Sequence, residues 1–195
     1  MKLNERVRES NDPRLTSLDA TTMAAFKRSQ ATFYINSRSQ IWWVGMVGRF
    51  TSEDIENLFL FKNLVQLTLG NPLQMSPSTT DSVVMRLVDL PKLSLLNLDN
   101  CDNITGLSLS YISRNKWIQF CTFRNCPIHD EHLHYLEDLT HLIVLDLSRT
   151  KNTDNSIGNL CQLKNLRRLG LKHCDIRKRS ILHLQSSLPN CKILV

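Results

Sequence analysis

LSLLNLDNC at residues 93–101, IQFCTFRNC at 118–126, LIVLDLSRT at 142–150 and LRRLGLKHC at 166–174 share one pattern. Positions one, four and six are apolar or cysteine, and position nine is cysteine or threonine. Their starts lie 25, 24 and 24 residues apart. A fixed period of this length marks a chain assembled from stacked structural units. Working outward, Leu64-x-x-Leu67-x-Leu69 precedes Leu93 by 29 residues, and Ile41-x-x-Val44-x-Met46 precedes Leu64 by 23. Downstream, Cys191-x-x-Leu194 follows Leu166 by 25, so seven strand positions are visible, the last cut short.

The intervening segments carry a second pattern. Apolar residues stand nine and six positions before each start, as Ile55 and Leu58, Val84 and Leu87, Leu109 and Ile112, Leu133 and Leu136, Ile157 and Leu160. Phe61, Leu90, Leu139, Leu163 and Leu188 add a third slot three positions before the start. Spacing of three suits the inner face of a helix or a 3₁₀ stretch, and the Leu-x-Leu alternation suits a short strand with one open face. Each unit is therefore strand, turn, helix, turn. It cannot bury its apolar face alone, and stacking against its neighbours predicts an α/β solenoid.

At residues 64–72, 93–101, 118–126, 142–150 and 166–174 the chain resembles the leucine-rich repeat family, whose pattern is L-x-x-L-x-L-x-x-N/C. Cys101, Cys126 and Cys174 fill the final slot, and Ile104, Ile128 and Ile176 follow it, much as in the cysteine-containing subclass. The ending LPNCKILV is similar to those of bacterial repeat proteins of this type. The resemblance implies a leucine-rich repeat solenoid, or horseshoe, with a parallel sheet on the concave face and short helices on the convex face. It spans residues 41–195, about six repeats and a truncated last strand, behind an N-terminal capping or partly disordered segment at 1–40 that contains Leu15, Leu18, Met23, Phe26, Phe33, Tyr34 and Ile35. Pro72 and Thr150 depart from the pattern, and Pro72 to Asp81 reads as a loop bulging from the stack.

The 195-residue chain is 42% hydrophobic and 22% charged, which excludes low-complexity and collagen-like classes. Its longest apolar or glycine run, Ile41 to Gly48, is eight residues, against about 20 for a membrane helix. MKLNERVRESNDPRL places charges where a signal peptide has its apolar region, so the expected location is cytoplasmic or otherwise intracellular. Cys101, Cys126 and Cys174 at the turn slot, Cys121 at a strand slot and Cys191 at a strand start are expected inward, as small hydrophobes rather than disulfides or nucleophiles. Cys161 falls in a helical segment beside Leu160.

Chemistry is sparse. His129, Asp130, Glu131, His132 and His134 crowd into six residues, yet Leu133 takes the buried slot and its neighbours diverge to either side. At most His129 and His132 approach over one turn, which is a weak metal site, and the acids suit a helix N-terminus. No phosphate loop, G-x-S-x-G or H-E-x-x-H occurs. The expectation is a non-enzyme with no cofactor, no catalytic residues and no metal.

On a concave sheet the residues between the leucines face outward. The third-position column reads Trp43, Gln66, Leu95, Phe120, Val144, Arg168, Ile193. The fifth reads Gly45, Thr68, Asn97, Thr122, Asp146, Gly170, Val195. The seventh reads Val47, Gly70, Asp99, Arg124, Ser148, Lys172, and Asn71, Asn100, Asn125, Arg149 and His173 form a rim. An apolar stripe with polar flanks fits a protein-binding patch. The candidate partner-binding residues are Leu95, Asn97, Asp99, Phe120, Thr122, Arg124, Val144, Asp146, Arg168 and Lys172. The reading is a monomeric adaptor or regulator for a protein partner. Its alternative is a binder of nucleic acid or another acidic ligand through the basic run Lys164 to Arg179; nucleic acid is the lesser expectation because no stacking aromatics are interleaved there.

Overall fold

Leucines at positions one, four and six of each unit enter one continuous core, and that requirement sets the architecture. The computed structural model describes residues 5–7, 31–35, 40–46, 50, 52–70, 78–87 and 89–195. Nine strands form one sheet in chain order: β1 (Glu5–Val7), β2 (Thr32–Ile35), β3 (Ile41–Gly45), β4 (Gln66–Thr68), β5 (Leu95–Asn97), β6 (Phe120–Thr122), β7 (Val144–Asp146), β8 (Arg168–Gly170) and β9 (Lys192–Leu194). From β3 to β9 all neighbours are parallel. Their crossovers carry the helical segments Ser52–Glu56 with Asn57–Leu60, Asp81–Leu87, Gly106–Ile112, Asp130–Leu136, Asp154–Ser156 with Ile157–Leu160, and Lys178–Ser187. This is the expected α/β solenoid.

β1 and β2 run antiparallel at the N-terminal edge, and β2 pairs with β3. Phe33 enters the core there, packing edge-on against Phe61 at 6.3 Å. Tyr34 meets Trp43 at 4.9 Å, so that tryptophan belongs to this end of the sheet. Leu15, Leu18, Met23 and Phe26, expected in the capping segment, lie outside the described residues.

The spacing of three explains why the convex elements are short. In Asp130–Leu136 the 3₁₀ winding eclipses Leu133 and Leu136, and both are buried. Ile55, Leu58, Val84, Leu87, Leu109, Ile112, Ile157 and Leu160 are buried in the same way.

Two expectations need correction, and a third falls mostly outside the described residues. The last strand does not continue the Cys191 register: β9 pairs Arg168 with Lys192 and Leu169 with Ile193, which keeps the 24-residue pitch of β6, β7 and β8. Ile193 therefore packs on the core and Lys192 takes the outward column, with Leu194 rather than Val195 in the fifth. The pitch wins because each strand must meet the hydrogen-bonding groups of its predecessor, and Leu171 N–H donates to Leu194 O just as Leu147 N–H does to Gly170 O. Cys174 and Cys191 are half-buried, whereas Cys101, Cys121, Cys126 and Cys161 are buried. Finally, of the segment expected to bulge, residues 72–77 lie outside the described residues, and its end turns inward. Thr79 is buried with its hydroxyl 3.5 Å from Leu69 O, and Thr80 bridges to Asn103.

Two polar ladders tie the units together. At the rim, Asn100, Asn125, Arg149 and His173 all adopt the left-handed conformation, with φ of 57 to 61°. The backbone N–H groups of the first three reach forward, as in Asn100 N–H to Arg124 O at 2.7 Å and Arg149 N–H to Lys172 O at 2.7 Å. Asparagine tolerates this region, while Arg149 bears a penalty of about 1–2 kcal/mol. On the convex side, acids at helix starts hold the next repeat. Asp81 accepts from Thr105 N–H at 2.8 Å and its hydroxyl at 2.7 Å, and Asp130 does the same for Thr153 at 2.7 and 2.5 Å. Asp154 accepts from the Arg177 N–H at 2.9 Å and from its guanidinium. Gly106 has no room for a side chain, because a Cβ there would stand 1.9 Å from the His132 ring.

Gly106→Ala should lower the unfolding free energy by about 1–3 kcal/mol in urea titrations. The loss should shrink in a His132→Ala background; equal losses in both backgrounds would show that the ring is not what Gly106 accommodates. The Ser180 hydroxyl and the Arg177 N–H hold Asp154 down at about 2. Its contribution is complete above the unfolded carboxylate value near 4 and is lost as pH falls toward 2. Asp154→Asn should therefore be less stable than wild type at pH 7, with the gap closing between pH 4 and 2 in thermal melts; a gap that persists at pH 2 counts against this linkage.

Candidate functional site

The open face of the sheet is built by the residues that alternate with the buried leucines. Strand register brings Leu95, Phe120 and Val144 side by side as a half-buried apolar row across β5, β6 and β7. Gln66 on β4 flanks it on one side, and the exposed Arg168 on β8 and Lys192 on β9 flank it on the other. Beside the row run Asn97, Thr122 and Asp146. The Thr122 hydroxyl is cut off from solvent and has no hydrogen-bond partner among the described residues.

Asp99 and Arg124 act as one unit. Asp99 is only 2% exposed, and a buried carboxylate is tolerable only when its oxygens are satisfied. Oδ1 accepts from Arg124 N–H at 3.0 Å, while Oδ2 accepts from Arg124 Nε at 2.8 Å and Nη2 at 2.7 Å. The bond from the Asn97 amide nitrogen to Oδ2 is longer, 3.4 Å. Asp99 therefore holds Arg124, whose side chain is half exposed, rather than facing a partner itself. Asp146 lies 3.9 Å from Arg124 Nε and accepts from Ser148 N–H at 2.9 Å. Its carboxylate occupies the space a Cβ would take on Gly170, 2.3 Å from that position.

These groups open into a concavity of about 480 Å³ at the C-terminal end of the sheet. Around it stand Asp99, Arg124, Asp146, Arg149, Arg168 and Lys172, with His173 and Leu194. The sequence reading gathered five of those first six as partner-binding residues and placed Arg149 only at the rim. The signal for Arg149 was available: a cation in the slot that Asn100 and Asn125 fill elsewhere.

The basic run Lys164 to Arg179 is split between faces. Arg168 and Lys172 line the concavity, Arg177 pairs with Asp154 at a helix start, and Lys164 Nζ donates to Ser187 O at 3.4 Å. The histidine cluster is spent locally. His129 N–H donates to His132 Nδ1 at 3.3 Å, His134 Nδ1 lies 2.7 Å from Glu131 O, and Asp130 is committed to Thr153. Among the described residues no group of three or more His, Cys, Asp or Glu is arranged to hold a metal.

Burial pushes the Cys101 thiol up to about 12 and raises Cys121 and Cys126 as well. Cys126 donates to Leu98 O at 3.0 Å, and Cys174 donates to Leu147 O at 3.1 Å, the equivalent carbonyl two repeats on. These sulfurs are rungs of the stack.

The fold is similar to solved leucine-rich repeat structures. An internalin from Listeria monocytogenes superposes with a TM-score of 0.57 at 18% identity, over 75% of this chain and 38% of that one. A leucine-rich repeat protein of Leptospira interrogans gives 0.55 at 22% identity, over 75% and 41%. Internalin C2 from Listeria monocytogenes gives 0.54 at 20% identity, over 93% and 82%. The chain thus spans about two fifths of the length of the first two. No protein-family model matches the chain, and no curated protein does. The architecture is a leucine-rich repeat solenoid. No helix among the described residues is long and apolar enough to cross a membrane.

Alkylation with iodoacetamide at pH 8, followed by peptide mass spectrometry, should leave Cys101, Cys121 and Cys126 unmodified in the native protein and label all three in denaturant. Their raised values keep them protonated at that pH. Rapid native labelling of any of the three would overturn their assignment as inert core groups.

Proposed function

We propose that this chain is a non-enzymatic module that binds a partner protein through the concave face of its repeat solenoid, as an adaptor or regulator. The observation that carries the reading is the apolar row Leu95, Phe120 and Val144, half-buried on the open face of the sheet and flanked by Gln66, Arg168 and the Asn97, Thr122, Asp146 column. Apolar anchors ringed by polar residues are where binding energy concentrates in protein interfaces. Asn97 and Thr122 flank the anchors, and Arg124, Asp146, Arg168 and Lys172 tune selectivity through charge. The leucine-rich repeat fold of its structural neighbours supports an interaction role.

The non-enzymatic reading draws support from how the reactive side chains are used. Cys101, Cys121 and Cys126 are buried, and His129, His132 and Asp130 are engaged in turns and in the neighbouring repeat. In this reading the module works inside the cell, as a monomer, without cofactor or metal. Binding of nucleic acid through Lys164 to Arg179 is the weaker reading, because that run divides between faces.

The test compares wild type with Leu95→Asp/Phe120→Asp/Val144→Asp in quantitative capture from source-cell lysate, after circular dichroism has shown the two to be equally folded. A protein retained by the wild type should be lost from the variant by about tenfold or more, as expected when a desolvated anchor cluster is removed. Equal retention by both proteins would overturn the assignment of the row as the working surface.

A further inference from the structure

We propose that the partner presents an acidic peptide segment, carrying at least two carboxylates, to the concavity formed by Arg149, Arg168 and Lys172 at the C-terminal end of the sheet. The inference rests on the concave-face reading and specifies the chemistry of what is bound there.

Charge bookkeeping at the site points to an anion. Arg86 pairs with Glu56, Arg124 with Asp99 and Arg177 with Asp154. Arg149, Arg168 and Lys172 form no ion pair among the described residues, although they line one concavity. With Arg124 matched by Asp99, three cations face the single carboxylate of Asp146, a surplus of two positive charges from the Arg, Lys and Asp side chains. Like charges gathered in a cleft with protein walls focus their field on the space between them and raise the local concentration of an oppositely charged ligand. Guanidinium groups add geometric preference, since each can grip a carboxylate with two parallel hydrogen bonds.

Continuity with the apolar row favours a peptide. Val144 and Arg168 are register partners, so the row Leu95, Phe120, Val144 leads directly into the first cation. Adjacent strands stand about 4.8 Å apart and an extended peptide advances about 3.3 Å per residue. A segment crossing the sheet therefore places its acids one or two residues beyond its last apolar anchor. A single-stranded nucleic acid would need stacking platforms interleaved with the cations, and among the described residues lining the concavity His173 carries the one aromatic ring. Asp146 acts as the selectivity element: it repels acids that enter out of register and leaves the flanking cations as the landing points.

The test is fluorescence anisotropy of a labelled oligoglutamate peptide with the full chain at low and moderate salt, alongside an oligoserine of the same length. Arg168→Gln/Lys172→Gln should weaken oligoglutamate binding by about tenfold, and Asp146→Asn should tighten it several-fold, both effects fading with salt. Removing as many charges elsewhere, with Lys116→Gln/Lys151→Gln at exposed positions that do not line the concavity, should leave it within about twofold. Oligoglutamate binding no stronger than oligoserine, or indifferent to the Arg168 and Lys172 changes, would overturn the proposal. So would tighter binding of a thymidine oligonucleotide of equal charge with the same dependence on those residues, which would assign the concavity to nucleic acid. Failure of the row is read separately, from lysate capture, so either idea can fall while the other stands.

Discussion

No repeat of this chain can bury its own leucines, and that constraint governs everything else in the molecule. A strand of three residues and a helix of two turns enclose no core; only the neighbouring unit closes it. The parallel sheet from β3 to β9 is the consequence, with a 24-residue pitch held from Phe120 through Val144 and Arg168 to Lys192. The pitch is strict enough to determine where the final strand pairs. Position four of each repeat, as Leu67, Leu96, Cys121, Leu145 and Leu169, is buried in every case.

Much of the fold was legible because slots one, four and six admit almost nothing polar, and because the helical slots at minus nine and minus six are apolar before every start from Leu64 to Leu166. What escaped the sequence reading were contacts between repeats. Asp130 at a helix start suggested stabilisation of its own helix, whereas its carboxylate reaches the Thr153 cap of the next unit. Asp99 looked like a surface acid, yet it lies under Arg124. Neither relation has a signature within one repeat, since each joins residues 23 or 25 apart. The last strand was misregistered because Cys191-x-x-Leu194 mimics the pattern locally, while hydrogen bonding to β8 follows the pitch. Asn152 shows the tolerance of the scheme. It fills a slot held by Ile128 in the preceding unit and Ile176 in the following one, is fully buried, and bonds Thr150 Oγ1 at 2.6 Å.

The two faces divide the labour. On the convex side the polar groups are consumed in holding repeats together, through Asp81, Asp130 and Asp154. On the open face the polar groups are of two kinds. Asp99 is structural and positions Arg124, while Arg149, Arg168 and Lys172 have no charged partner among the described residues. That asymmetry within one surface separates scaffold from recognition more sharply than the column assignments drawn from register alone, which treated Asp99 and Lys172 as equivalent.

The pairing of Asp146 with Gly170 bears on how such a surface changes over generations. The carboxylate of one repeat sits where the side chain of the next would begin. A side chain at position 170 therefore requires either that the Asp146 carboxylate leave its bond with Ser148 N–H or that position 146 shrink. The effect of a substitution at one site thus depends on the residue at the other, and two positions in neighbouring repeats change specificity as a coupled pair even though each repeat looks independently editable.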